Sequence, residues 1–182
     1  VLALFVFGAF LSVLAVQGRV AKGKAPRPWW ALSAVVGLLL IVSVMGRLGV
    51  FGPFGGSVEQ PTDFLLLSVL ALAMGLQNAT VASSTGVAVR TTHMTGPATD
   101  VGVGLGVALF STGAAREQAL KLATLRAGKI GAFILGAVAM TLLAPRLGYL
   151  AFVLPASFIA VATVRSFVTA SAQLTLTERT QS

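Results

Sequence analysis

The sequence contains no cysteine and only one histidine, His93. Disulfides and thiol chemistry are therefore excluded, and one histidine cannot form a multi-histidine metal site within a single chain. Scattered serines around that histidine also give no basis for a Ser-His-Asp arrangement. We expect no metal, no cofactor and no catalytic residues, so an enzyme is the weakest function class.

Charged residues are scarce as well. Only 10% of the 182 residues are charged, whereas soluble domains average about 25%. Hydrophobic residues make up 56% and the mean hydropathy is +0.92, which is the composition of a membrane protein. The net charge of +8 would suggest nucleic acid in a soluble domain. Here the basic residues lie mainly between apolar runs, so they indicate membrane orientation instead.

Five long segments contain no Asp, Glu, Lys or Arg: residues 1–18, 29–46, 64–89, 130–145 and 148–164. A helix needs about 20 mostly apolar residues to cover roughly 30 Å of hydrocarbon. The fourth segment is short, but Lys129 can snorkel to the interface and lengthen it. The pattern predicts an all-α polytopic transmembrane helical bundle, with five spanning helices and a short broken or re-entrant helix. We expect one transmembrane domain over residues 1–170 and a polar C-terminal tail over residues 171–182.

The connections between these segments carry their own signals. Residues 19–27 hold four basic side chains, and the following Trp29 and Trp30 suit the headgroup zone. Glycines and prolines indicate an irregular external loop over residues 50–63 and a tight turn at 145–148. Thr62 is a plausible N-cap for the third helix. Pro155 is expected to kink the last helix.

The polar stretch from Leu76 to Gly106 interrupts the apolar pattern. Polar groups near membrane depth are costly, which favours a functional explanation. We interpret the stretch as a broken membrane element lining a polar cavity, hinged at Gly96 and Pro97, because proline is tolerated at a helix start. The candidate substrate-binding residues are Gln77, Asn78, Arg90, Thr92, His93, Thr95, Thr99 and Asp100.

Several of these candidates also have a purely structural explanation. Gln77 and Asn78 suit hydrogen bonds to a neighbouring helix, Asp100 suits the positive end of a helix dipole, and His93 suits a structural hydrogen bond as well as a proton relay. In the functional interpretation, free N–H groups at the helix start attract an anion together with Arg90 or His93. Asp100 opposes that field and would instead bind a proton or cation.

Three alternating glycines follow the polar cluster, at positions 102, 104 and 106. They lack the strand, the spacing and the acidic residue of a dinucleotide-binding fingerprint. Gly102 and Gly106 instead predict close helix packing as a small-xxx-small pair.

The distribution of basic residues bears on whether the glycine-rich piece crosses the membrane. If residues 97–112 do not cross, 11 of the 13 Lys and Arg residues share one side, and only Arg47 and Arg146 lie opposite. If they cross, the split is 6 to 7. The positive-inside rule therefore favours a non-crossing or re-entrant element. The piece would also reach only about 24 Å as a helix.

A short internal similarity points to inverted repeats. Residues 8–11, Gly-Ala-Phe-Leu, parallel residues 131–134, Gly-Ala-Phe-Ile, and each set lies in a helix followed by a second apolar helix. Under the topology above the two helices run in opposite directions, and inverted repeats often form a binding site at their interface.

The strings GLQNATV (residues 75–81) and VRTTHMTGPATDVGVGLG (residues 89–106) resemble the YoaK-type small integral membrane proteins of bacteria, a family of unassigned function. The resemblance covers essentially the whole chain. It implies a six-segment protein with an earlier copy of the Met-Thr/Ser-Gly-x-x-Thr motif. We expect that copy and the helix before it to be missing from these residues.

Together, these features favour a small-solute or ion transporter of the bacterial inner (cytoplasmic) membrane, with basic loops 19–27 and 116–129 in the cytoplasm. The alternative is a non-transporting scaffold or partner subunit, in which the polar motif only fixes helix packing. The expected partners are the lipid bilayer, a small solute or ion, and further copies of the chain in a homo-oligomer. Nucleic acid is not expected.

Overall fold

A computed structural model describes residues 1–20, 28–56, 60–84, 95–165 and 167 of the chain. The helices are α1 (Leu2–Val20), α2 (Pro28–Arg47), α3 (Pro61–Ser84), α4 (Thr95–Phe110) and α5 (Gly113–Leu147). A short 3-10 helix, Gly148–Phe152, then leads into α6, residues 153–165. The described residues contain no strand, which confirms the all-α prediction.

Three helical stretches are long and apolar enough to cross a membrane: Pro28–Arg47, Pro61–Ser83 and Gly113–Arg165. A shorter apolar stretch, Leu2–Val16, lies in α1. The third long stretch contains both the fourth and the fifth of the predicted spanning helices. The prediction of a helical membrane protein therefore holds.

The chain forms two compact units, Val1–Val89 with Ala144–Ser182, and Arg90–Leu143. The first contains α1, α2, α3 and α6, and the second contains α4 and most of α5. A single domain over residues 1–170 stays a prediction, and the predicted tail, residues 171–182, lies outside the described residues.

In the first unit, α1 and α3 run parallel to each other. The backbone of Gly8 lies against Leu72 and Leu76, and Ser12, one turn further along α1, meets Thr80, one turn further along α3. Parallel packing is what two helices require when the helix between them crosses the membrane once.

Helix α2 runs antiparallel to α3 beside this pair. Val35 and Leu39 cluster with Ala73 and Leu76 of α3. Later on α2, Val42 belongs to a second cluster, against which Leu66 from the beginning of α3 packs.

Helix α6 completes the bundle and is antiparallel to α2. The ring of Tyr149 lies against Gly46 at the end of α2, Ala156 joins the cluster around Leu39, and Phe167 meets Trp29 edge-on with ring centroids 5.8 Å apart. The bundle therefore has a Tyr149 end, where α3 and α6 begin, and a Trp29 end, towards which both run.

The helix ends refine several predictions. Helix α3 begins at Pro61, and the backbone N–H of Gln60 donates to Asp63 Oδ2 at 2.8 Å. Asp63 therefore satisfies an otherwise free donor at the helix start, whereas Thr62 was predicted as the cap. Pro155 follows shortly after the 3-10 helix, and the kink predicted there stays a prediction.

The largest difference concerns residues 116–129, which were predicted as a basic loop. They are helical and form the first half of α5. The segment is rich in Ala, Leu, Lys and Arg, all strong helix formers, so its charge does not mark an irregular connection. Helix α5 ends at Leu147, and Gly148 follows with φ 54°. Glycine adopts that left-handed conformation at little cost, which explains the stop.

Candidate functional site

The polar third of α3 faces helix α1 inside the first unit. Asn78 is 5% exposed and Gln77 is half-buried. Thr80, which was not among the predicted site residues, is fully buried beside them. The buried face of this part of α3 therefore belongs to a contact between helices.

A hydrogen-bonded pair of hydroxyl groups lies at the centre of this contact. The Thr80 hydroxyl donates to the backbone carbonyl of Leu76 at 2.7 Å. Its oxygen is 2.7 Å from Ser12 Oγ, and since the Thr80 proton is already used, the Ser12 hydroxyl is the donor. Both side chains are fully buried, so this pair satisfies polar groups that would otherwise be costly at membrane depth.

Two glycines bring the helices close enough for that bond. A Cβ on Gly75 would overlap the carbonyl oxygen of Phe5 and approach the backbone nitrogen of Ala9 to 3.0 Å. A Cβ on Gly8 would overlap the carbonyl oxygen of Leu72. Close backbone approach through glycine is a recurrent mode of membrane helix association. The small-xxx-small spacing of Gly8 and Ser12 is the sequence signal that would have predicted this contact.

The polar beginning of α4 belongs to the second unit. Thr95 and Gly96 are exposed, Pro97 is half-buried, and the exposed Thr99 donates its hydroxyl to the Thr95 carbonyl at 3.0 Å. Asp100 Oδ2 lies 3.3 Å from a guanidinium nitrogen of Arg126 on α5. Arg126 was predicted only as a basic residue of the segment now seen to be helical.

Glycines also pack α4 against α5, but through a different position. A Cβ on Gly104 would lie 3.1 Å from the Ala123 Cβ and 3.4 Å from the Ala119 carbonyl oxygen. Gly102 and Gly106 have no such neighbour among the described residues. Their role in packing against another helix stays a prediction.

The candidate residues fall into three groups in the structure. Gln77 and Asn78 lie in the first unit, and Thr95, Thr99 and Asp100 lie in the second. Arg90, Thr92 and His93 lie outside the described residues. Within the described parts of the chain, no group of three His, Asp or Glu residues is arranged to hold a metal ion.

An all-helical chain with three membrane-length apolar stretches and polar groups buried between glycine-packed helices has the features of a helical membrane protein. Residues 1–165 match the family described as protein of unknown function, DUF1275, and the chain belongs to that family. The YoaK proteins are members, so the resemblance inferred from the two motifs is confirmed. No curated protein and no solved structure matches the chain.

Proposed function

We propose that this DUF1275 protein crosses the membrane five times, and that it passes a small polar solute or ion beside the polar segment between α3 and α4. The basic segments 19–27 and 116–129 lie in the cytoplasm of a bacterial cell in this proposal. The observation that carries the five-crossing topology is the direction of α3 and α6 within the first unit, and the polar sequence between α3 and α4 is the basis for proposing transport.

Both helices begin at the Tyr149 end of the bundle, yet α6 follows α3 in the chain. If the bundle spans the bilayer, residues 85–148 must return the chain from the Trp29 end to the Tyr149 end. That return takes an odd number of crossings. Among the described residues of that stretch, only α4 and α5 are available, so this topology requires that one of them crosses and the other does not.

Length and charge favour α5 as the crossing helix. Its uncharged part, residues 130–145, is flanked by Lys129 and Arg146, whereas α4 has 16 residues and reaches only about 24 Å. Helix α4 also packs against Ala119, Ala123 and Arg126, which belong to the charged half of α5. These observations and the basic-residue count both favour a non-crossing α4.

The lengths of the first and last helices are compatible with this topology. The last helix is compared with α2, which covers about 26 Å from Trp29 to Gly46. Tyr149 lies against Gly46 and Phe167 meets Trp29, so the chain between them runs beside the same stretch of α2. Helix α1 has 19 residues, and its stretch from Gly8 to Ser12 packs alongside α3.

The apolar pattern of the sequence is interrupted by polar residues between α3 and the short α4, and transporters use interrupted helices to expose backbone and side-chain groups to a solute. The proposed solute contacts are the candidate residues named above, and an inverted-repeat relation between the helices containing residues 8–11 and 131–134 stays part of the proposal.

One observation favours the non-transporting alternative. The polar groups of Ser12 and Thr80 are used in a buried helix contact, as expected for side chains that fix packing. In that case the protein would be a membrane scaffold or a subunit of a larger assembly.

Flux into proteoliposomes distinguishes the two functions. Uptake is measured for a panel of small anions, cations and neutral solutes. For at least one of these solutes, we expect Gln77→Ala and Thr92→Ala each to slow uptake by tenfold or more. Glu117→Gln is the matched control, because it alters an exposed polar residue outside the proposed path. Equal flux in the parent, the variants and empty vesicles would remove transport and favour the scaffold.

Topology is tested separately with an introduced cysteine, since the chain has none of its own. Lys121→Cys and Thr112→Cys should both be labelled only from the cytoplasmic side. Labelling of Thr112→Cys from the opposite side would show that α4 crosses.

A further inference from the structure

Helices α4 and α5 form an antiparallel hairpin whose contact surface consists of small side chains. Gly104 lies against Ala119 and Ala123, and Ala108 and Ala123 are the buried residues of the two helices. Alanine and glycine bury little apolar area, so this surface alone holds the helices together weakly.

The hairpin turn lies at one end of that surface. Ser111 and Thr112 are non-helical, and Gly113 begins α5 with φ 61°. At the other end, ten residues before the close of α4 and about 15 Å along its axis, Asp100 meets Arg126 at 3.3 Å. The ion pair therefore lies far from the turn, where a separation of the two helices would be large.

We propose that the α4–α5 hairpin is a conformational switch, hinged at Ser111–Gly113 and held closed by the Asp100–Arg126 ion pair. Loss of the pair lets the beginning of α4 swing away from α5. Such a movement would displace Thr95 to Asp100 while leaving the helices themselves intact. The inference goes beyond the proposed transport function and does not require it.

Because the ion pair is partly exposed, it can break and form again without unfolding of the hairpin. The side chains of Arg126 and Asp100 are 31% and 48% exposed, so solvent ions or a headgroup can reach them. Exposed ion pairs weaken as ionic strength rises. A fully buried pair would resist such competition, and a surface of larger apolar side chains would hold the hairpin closed without it.

A disulfide reports the closed hairpin directly. The Cβ positions of residues 104 and 123 are 3.1 Å apart, slightly below the range of about 3.5–4.5 Å that disulfides prefer. The double variant Gly104→Cys and Ala123→Cys can therefore form a disulfide when the hairpin is closed. The full chain in lipid vesicles is oxidised under fixed conditions, and the rate of disulfide formation is followed. No native cysteine competes.

Neutralising either partner, with Asp100→Asn or Arg126→Gln, should lower the ratio of closed to open hairpin by up to about fivefold, the upper range for an exposed pair, and should slow disulfide formation by at most that factor. Exchanging the charges, with Asp100→Arg and Arg126→Asp together, should restore the parent rate to within about twofold. Raising the salt concentration should slow the parent but not Asp100→Asn. Glu117→Gln and Lys121→Gln are matched controls that remove charges of the same kinds elsewhere on α5, and both should keep the parent rate.

A second readout avoids any effect of the substitutions on thiol reactivity. Spin labels attached at the exposed positions 102 and 118 should give one short distance in the parent and an added longer distance in Asp100→Asn. Unchanged disulfide rates and distances after neutralisation would overturn the proposal. A charge exchange that leaves α4 displaced would do so as well, because it would show that the pair is not what closes the hairpin.

Discussion

Replacing Gly75 with alanine tests the central contact of the first unit. The new Cβ would overlap the carbonyl oxygen of Phe5 and lie 2.9 Å from its carbonyl carbon and 3.0 Å from the Ala9 nitrogen. All three are backbone atoms, which cannot rotate away as a side chain would. Helices α1 and α3 must therefore move apart along the whole contact.

The expected loss of stability has two parts. Forcing an extra methyl group into a packed contact costs about 1–3 kcal/mol. Separation of the helices also stretches the hydrogen bond between Ser12 and Thr80, and interhelical hydrogen bonds in membranes contribute about 0.6–1.7 kcal/mol. We expect Gly75→Ala to lower the free energy of unfolding by about 2–5 kcal/mol, the sum of these effects.

Gly37→Ala is the matched control. Gly37 is also in a helix, but a Cβ there would meet no described atom within 4 Å. Alanine lowers the entropy cost of helix formation, so this variant should be more stable by about 0.5–1 kcal/mol. Denaturation in mixed micelles, followed by the fluorescence of Trp29 and Trp30, measures both variants. The proposed packing is refuted if Gly75→Ala is as stable as Gly37→Ala.

Three further experiments test contacts in both units. The double-mutant cycle of Ser12→Ala and Thr80→Val, read from denaturation curves, should give a coupling of about 0.6–1.7 kcal/mol; zero coupling would contradict the bond. Tyr149→Phe removes the hydroxyl that donates to the Phe51 carbonyl at 3.1 Å and should cost about 0.5–1.5 kcal/mol in the same assay. Gly113→Ala puts a side chain at φ 61° and should cost about 1–2 kcal/mol, read as slower disulfide formation between positions 104 and 123; a parent rate would show that the turn tolerates a side chain.

The helical pattern of the first unit could be predicted because charge marks the ends of its apolar runs. Arg47 follows the second run and Asp63 precedes the third, and the observed bounds of α2 and α3 agree with them within a few residues. The same criterion failed at α5. There charge occurs inside a helix whose composition favours helix formation, and a hydropathy pattern cannot distinguish that helix from a loop.

The site was less predictable than the fold. Gln77 and Asn78 stand out because amides are conspicuous in an apolar run, whereas Ser12 and Thr80 do not, since hydroxyl residues are common in membrane helices. Their pairing joins positions 68 residues apart and depends on which faces of α1 and α3 meet. Similarly, Asp100 could be singled out from the sequence, but its partner Arg126 emerges only from the register of the hairpin.

The parallel arrangement of α1 and α3 also sets an order for assembly during synthesis. The two helices cannot meet until α2 has been made and has returned the chain to the side where α3 begins. Until then, the surface of α1 around Gly8 and Ser12 lacks the α3 residues that pack against it. The Thr80 hydroxyl, in contrast, can donate to the Leu76 carbonyl of its own helix as soon as α3 forms. The nascent protein must therefore keep the α1 surface available while about 60 further residues are added, so the packing of α1 is completed only when α3 has been made.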